Sequence, residues 1–212
     1  VWKNAEGDVL TPGSDYEITD GRTRFLDPII GQKVYCEMTN PRFDGLTLTT
    51  TQIEAAAMPQ YKLASFTTLA DGEATMVLRA TRPTTICIDW KGGAHSVESY
   101  TVDDNLVTTP IQTYAGAECA VYAYSADAPL YVFSVKDAKM ENVDLSNMKQ
   151  LVLANVSGAG IDAIKLPETD TLAELILTDN NFSQLDLSRY AGQLRLLTLN
   201  NTLANLSDRL AN

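Results

Sequence analysis

The chain contains a single histidine, His95, in the stretch "GGAHSVES". A Ser-His-Asp hydrolase would need this imidazole as its base, but the G-x-S-x-G elbow of such enzymes is missing from the sequence. The preceding Lys91-Gly92-Gly93 predicts a hairpin turn. A zinc site needs three or four soft or imidazole ligands, which one histidine and three scattered cysteines do not supply. We therefore expect His95 to be an exposed turn residue, with no metal bound and no catalytic role.

Carboxylates are the other abundant reactive groups, with 27 Asp and Glu against 16 Lys and Arg. A glycosidase needs two of them facing each other across a cleft, which the repeat pattern described below does not favour. No D-x-D-x-D-G calcium loop is present, and "GAGIDA" (158–163) has no basic residue before Lys165 to hold a phosphate. The sequence thus predicts a protein that is not an enzyme and needs no cofactor.

The formal net charge of −11 bears on the choice of partner. An acidic surface repels phosphate backbones and anionic lipid, so nucleic acid is not an expected partner. The same charge also serves simply to keep a protein soluble. No apolar run approaches the ~20 residues of a spanning helix. The first residues, "VWKNAEGD", do not have the pattern of a leader peptide, so the protein is expected to be either cytosolic or exported with its leader removed. Abundant Thr, Asn and Asp with few Lys favour export to the cell surface or medium.

Three cysteines allow at most one disulfide. In "TTICIDW" the alternation places Cys87 on the outer side of a strand, with Thr85 and Asp89. In "AECAVYAYS" it places Cys119 on the inner side. Cys36 belongs to a different part of the chain, so we expect three free thiols.

Residues 1–58 read as short alternating strands separated by turn signals such as Pro12-Gly13 and Asp20-Gly21. The stretch "VWKNAEGDVLTPGSDYEITD…GQKVYCEMTN…GLTLTT" resembles the second half of an immunoglobulin-like domain, with Trp2 and Cys36 at the positions of its buried Trp and second Cys. Val34 stands where that family usually has a tyrosine. The resemblance implies that the first strands of such a domain precede Val1.

Residues 59–136 contain about seven short strand-like runs, a spacing typical of a β-sandwich. Five aromatic residues in these runs are candidates for a carbohydrate-binding platform, although core packing is the commoner use of such residues. They are Trp90, Tyr122, Tyr124, Tyr131 and Phe133.

Residues 137–212 repeat the pattern L-x-x-L-x-L. We align Met148, Leu151 and Leu153 with Leu172, Leu175 and Leu177 and with Leu194, Leu197 and Leu199. The first step is slightly longer than the second, and we interpret "VSGAG" (156–160) as the insertion that lengthens it. A period of a little over twenty residues is typical of leucine-rich repeats, in which stacked coils bury their leucine rows against one another. We expect Asn180 to turn the chain after its strand and to bond backbone groups between coils. Because "LSDRLAN" has no polar cap, we expect further residues or a partner to cover that end.

The residues between the inward leucines should project outward, on the concave face of the coils, where we expect a partner to bind. These candidate binding residues are Gln150, Val152, Glu174, Ile176, Leu196 and Thr198. Val152, Ile176 and Leu196 would form an apolar stripe, and such stripes often mark interaction surfaces. The competing explanations are ordinary β-propensity at solvent-facing sites, or cover by neighbouring coils.

The order of an immunoglobulin-like piece, a β-sandwich and repeats containing "LDLS" resembles the surface and secreted leucine-rich-repeat proteins of host-associated bacteria. The resemblance implies a mainly-β, extracellular, non-enzymatic binding or adhesion protein that recognises a protein or glycan. The alternatives are a structural spacer of a longer surface protein and, third, a glycan-active enzyme.

Overall fold

The computed structural model describes residues 1–19, 21–43, 45–57, 59–69, 73–92, 97–112 and 116–199. The chain is mainly β, and among these residues the single helix is a short 3₁₀ turn, Ser188–Tyr190. It divides into two compact units, Val1–Met58 and Pro59–Asn212. No helix in the described part of the chain is long and apolar enough to cross a membrane.

The described residues of the first unit form six short strands, all paired antiparallel. A central strand, β4, pairs with β1, β5 and β6, and β2 and β3 form a separate hairpin. In chain order the strands are β1 Trp2–Asn4, β2 Tyr16–Thr19, β3 Arg22–Phe25, β4 Lys33–Thr39, β5 Thr47–Thr49 and β6 Ile53–Glu54.

A small core holds the first unit together. Val34 is fully buried in it, and Trp2, on the neighbouring strand, packs edge-on against Phe25 with ring centroids 4.9 Å apart. The Trp2 indole donates a hydrogen bond to the Thr23 hydroxyl at 3.0 Å. Trp2 and Cys36 are Cα partners, so both residues on which the immunoglobulin-like resemblance rests lie side by side in one sheet.

In the second unit, the strands that the structure describes form two six-stranded sheets. Sheet I has the order β10-β9-β12-β7-β14-β16, and sheet II has the order β11-β8-β13-β15-β17-β18. The strands are β7 Tyr61–Thr68, β8 Met76–Ala80, β9 Thr84–Asp89, β10 Val97–Val102, β11 Val107–Thr108, β12 Glu118–Ala123, β13 Leu130–Val135, β14 Met140–Asp144, β15 Leu153–Asn155, β16 Ile164–Lys165, β17 Glu174–Ile176 and β18 Leu196–Thr198.

Pairing is antiparallel among the strands up to β13 and parallel from β13 onward within sheet II. From β13 the chain alternates between the sheets, adding β14 and β16 to sheet I and β15, β17 and β18 to sheet II. The chain therefore winds in coils that extend both sheets. One buried cluster runs from Leu63 to Tyr190, so the coils and the sandwich strands share a single core.

The register of the parallel strands corrects our alignment of the first repeat. Phe133, Ala154, Leu175 and Leu197 are successive Cα partners, so they recur at nearly equal spacing in the sequence. Ala154, and not Leu151, is therefore the equivalent of Leu175. We predicted a longer first step and an insertion at 156–160, and both predictions are wrong. The repeat period begins at β13.

The turn after each sheet II strand has the same backbone geometry in three consecutive coils. Asp137, Gly158 and Asp179 recur at the period of the repeat and have φ values of 55°, 69° and 57°. Aspartate adopts this φ in the other two coils, but at Gly158 a Cβ would clash with Asp137, so the close approach of the neighbouring coil favours glycine.

Asn180 confirms its predicted role between coils. Its buried side-chain amide donates to the carbonyls of Val156 and Leu177 at 2.7 and 2.9 Å, and its oxygen accepts from the Ile161 N–H at 3.2 Å. One side chain thus satisfies three backbone groups belonging to two successive coils.

The inward row is buried until the last described strand. Leu175 and Leu177 have no exposed area, as predicted, but Leu197 is 42% exposed, so the expectation that it is buried is wrong. Leu199 is partly buried against the core. Leu197 lies in the correct row, but β18 is the final strand among the described residues and has a partner on one side.

The cysteines are all free thiols in the structure. Cys119 is fully buried on the inner side of β12, and burial raises its pKa. Cys87 alternates with the inward Ile86 and Ile88, as predicted, yet is only 2% exposed, with its sulfur 3.2 Å from the Ser99 hydroxyl.

Candidate functional site

Sheet II presents two rows of side chains that alternate with the buried row. The first row runs across β8, β13, β15, β17 and β18 and consists of Arg79, Val132, Leu153, Glu174 and Leu196. The second row runs across the same strands and consists of Val77, Ser134, Asn155, Ile176 and Thr198. We call these ten residues the sheet II face.

Half of the coil residues of the sheet II face are apolar. Leu153 and Ile176 are half-buried, and Leu196 is 42% exposed at the edge strand. Glu174, between Leu153 and Leu196 in the same row, supplies the one charge among the coil residues of the face. The strand pairing fixes the spacing of these side chains, because neighbouring strands lie about 4.8 Å apart.

Four of the six predicted binding residues belong to this face: Glu174, Ile176, Leu196 and Thr198. Val152 lies just before β15, where its N–H donates to the Tyr131 carbonyl and its own carbonyl accepts from Ala173 and Glu174. Gln150 is exposed and precedes the strand. The places that we gave to Gln150 and Val152 in the first coil are therefore occupied by Leu153 and Asn155.

A polar cluster borders the first row, and the sequence did not reveal it. The Arg79 guanidinium lies 5.4 Å from the centre of the Tyr131 ring and forms an ion pair with Asp104 at 3.1 Å. The Tyr131 hydroxyl donates to the same carboxylate at 2.6 Å, and this hydrogen bond raises the pKa of Tyr131. Arginine and tyrosine are among the residue types that most often dominate protein interfaces.

The five aromatic candidates do not form one platform. Trp90 and Phe133 are buried in the core, whereas Tyr131 lies beside the sheet II face. Tyr122 and the half-exposed Tyr124 follow the alternation of β12 on sheet I.

In the described part of the chain, no group of three or more His, Cys, Asp or Glu residues is placed to hold a metal ion. His95 lies outside the described residues, so its turn position stays a prediction.

Comparison of the chain with protein families, with curated proteins and with solved structures found no match. The class to which the protein belongs must therefore be argued from its own geometry.

Proposed function

We propose that the chain is a non-enzymatic, extracellular binding protein whose coils are leucine-rich repeats and whose first unit is part of an immunoglobulin-like domain. The repeat assignment is supported by the regular period, the parallel stacking and the bridging Asn180. The immunoglobulin-like assignment is supported by the pairing of Trp2 with Cys36 and by the strand order β1-β4-β5.

The partner binds on the sheet II face, and the breadth of this face favours a protein. The carrying observation is the parallel register, which places the solvent-accessible apolar side chains of Leu153 and Leu196 in one row, on either side of Glu174, and that of Ile176 in the adjacent row. Such side chains lose water on binding, and the Arg79–Tyr131 pair beside them adds a rigid polar anchor.

The test is a binding screen of the purified chain against immobilised collagen, fibronectin, laminin and fibrinogen. The variant Ile176→Asp should weaken binding to the retained protein by at least about tenfold, because a buried unpaired carboxylate at an interface is strongly unfavourable. The matched control is Ile111→Asp, at an isoleucine that is 67% exposed and follows β11 at the opposite edge of sheet II.

Equal binding by Ile176→Asp and the unmodified chain would refute the placement. Retention of none of the four proteins would favour the second candidate, a rigid spacer. That candidate is supported by the single core that joins the sandwich strands to the coils.

A further inference from the structure

The outer side of sheet I carries a trough that the sheet II face does not use. A cavity of about 480 Å³ is lined by residues of β7, β12, β14 and β16, and a second one of about 380 Å³ lies between residues 163–168 and 184–190. Both cavities are lined by Ala163 and Ile164, so they adjoin each other at these two residues. We call the two together the sheet I trough.

The trough exists because the coils separate on this side. Ile164 and Lys165 pair with β14, but β16 is the last strand of sheet I among the described residues, whereas sheet II continues to β18. A β-bulge between Glu141 and Asp144 also interrupts the pairing of β14 with β7. Bulges of this kind re-aim side chains and are frequent beside binding sites.

The bulge places Asn142 on the lining of the trough. Asn142 is exposed and has φ of 55°, a left-handed conformation that costs most residues energy but that asparagine tolerates. Its carboxamide offers both a donor and an acceptor to a ligand in the trough.

The charged groups of the larger cavity are balanced and already paired. Lys62 lies 2.9 Å from Glu118, and Lys165 lies 3.2 Å from Asp144, so two cations meet two anions in a chain whose net charge is −11. The hydrogen bond to Glu118 raises the pKa of Lys62. Burial raises the pKa of Asp144, but the hydrogen bonds from Ser146 and Lys165 outweigh it and the net shift is downward. Both salt bridges are therefore intact at neutral pH.

The four charges of the larger cavity therefore cancel, and the cavity has no net charge to attract an ionic ligand. An anion would have to displace Glu118 or Asp144 from its lysine, and a cation would have to displace Lys62 or Lys165 from its carboxylate. A hydroxyl group needs no such exchange, because it can donate to a carboxylate oxygen and accept from the neighbouring ammonium at the same time.

The rest of the lining fits a hydroxyl-rich ring compound. Ala163 and the partly buried Ile164 supply an apolar floor, and Ser65 and Thr67 add hydroxyls. Tyr122, the Cα partner of Lys62, extends the surface with a half-buried aromatic ring. From β7 to β16 and on to residues 184–186 the trough crosses about three strand spacings, roughly 15 Å, which suits a chain of several sugar rings.

We propose that the sheet I trough binds an uncharged oligosaccharide. The site is separate from the sheet II face and from the protein partner proposed for that face. The ligand lies over Ala163 and Ile164 and exchanges hydrogen bonds with the Lys62–Glu118 and Lys165–Asp144 pairs and with the amide of Asn142.

The test uses the full 212-residue chain on an array that carries neutral hexasaccharides (malto-, cello-, xylo-, manno- and chitohexaose) and anionic glycans (hyaluronan, heparin and polygalacturonate). We expect retention of at least one neutral hexasaccharide and of none of the anionic glycans. The affinity for the retained glycan, measured by calorimetry, should change less than about twofold when salt is raised from about 0.05 to 0.5 M, because no net charge is neutralised.

Two variants locate the site. Asn142→Gly keeps the positive φ and removes the amide, and Lys165→Ala removes a donor at a largely exposed position, so both should fold. Each should weaken the affinity about three- to tenfold, the effect of losing one hydrogen bond. The matched control Tyr131→Ala removes an aromatic residue beside the sheet II face and should leave the affinity unchanged.

The proposal is overturned if no neutral hexasaccharide is retained, if the retained glycan is anionic, or if Asn142→Gly and Lys165→Ala bind as tightly as the unmodified chain. Failure here leaves the sheet II proposal intact, because Ile176→Asp should not affect glycan binding and Asn142→Gly should not affect binding to a matrix protein.

Discussion

Leu175 and Leu197 are equivalent positions in neighbouring coils, so truncating each of them to alanine tests the stacking directly. They are Cα partners in the inward row, but Leu175 has no exposed area and Leu197 is 42% exposed. If burial sets the contribution of a leucine to stability, the two variants must differ in spite of their common place in the repeat.

The magnitudes follow from the burial of each side chain. A fully buried leucine costs about 2–5 kcal/mol when truncated, because both the transfer free energy and a residual cavity contribute. Leu175 lies between Ala154 and Leu197 in the interior, and we expect a loss of about 3 kcal/mol in the free energy of unfolding. Leu197 is only about half removed from water and leaves no enclosed cavity, so we expect about 1–1.5 kcal/mol.

The assay exploits the two tryptophans of the chain, one in each unit. Trp2→Phe in the first unit leaves Trp90, which is buried in the shared core, as the only indole. Its fluorescence then reports urea unfolding of the second unit alone. Equal losses for Leu175→Ala and Leu197→Ala, or a larger loss for Leu197→Ala, would refute the assignment of an open last coil.

Three further predictions concern the turns and the acid response. Asn180→Ala should lower the free energy of urea unfolding by about 2–4 kcal/mol, because three buried backbone groups lose their hydrogen-bond partner. The control Asn181→Ala changes an exposed neighbour that donates one hydrogen bond to a carbonyl and should cost about 1 kcal/mol or less. Equal losses for the two variants would contradict the bridging role of Asn180. Gly158→Ala should lower the melting temperature clearly, because of its positive φ and the clash at Asp137, and Gly192→Ala, with open space around it, should not. The lowered pKa of Asp144 stabilises the folded state fully above the ordinary pKa of 3.8, and this stability is lost as pH falls through the lower folded value. Asp144→Asn should therefore flatten the curve of unfolding free energy against pH in that acid range. An unchanged curve would exclude Asp144 as a source of the acid sensitivity.

The sequence predicted the buried row correctly where leucine occupies the inward positions, at Leu172, Leu175 and Leu177. It failed in the first coil because the inward position there is Ala154, a small residue between the aromatic Phe133 and Leu175. The pattern L-x-x-L-x-L therefore matched a displaced set that includes Leu153, which lies on the outer side. Which of two neighbouring leucines faces inward depends on the volume left by the adjacent coils, and a one-dimensional pattern does not contain this information.

The sequence contains a sign that the sandwich strands and the coils are continuous, but the change from antiparallel to parallel pairing at β13 hides it. β13 pairs antiparallel with β8 on one side and parallel with β15 on the other, so it satisfies a sandwich pattern and a repeat pattern at once. One repeat length before Ala154 is Phe133, and one repeat length before Ile164 is Val143. The start of the repeats could therefore have been placed before residue 137.

The candidate site was predictable where it follows from the repeat and not where it follows from long-range pairing. Glu174, Ile176, Leu196 and Thr198 alternate with inward leucines and so could be named from the sequence. Asp104, by contrast, meets Arg79 and Tyr131 only because the loop between β10 and β11 comes together with β8 and β13 of sheet II. Nothing in the spacing of these three residues indicates the cluster that they form.

The central claim is that the sandwich strands and the coils form one body with a common core. Amide hydrogen exchange, followed by mass spectrometry across a urea series in the Trp2→Phe background, tests it most directly. Peptides covering residues 130–145 and 151–166 should open with the same free energy and the same urea dependence as the loss of Trp90 fluorescence. Coil peptides that open at lower urea while Trp90 remains buried would contradict the claim and show two independent domains.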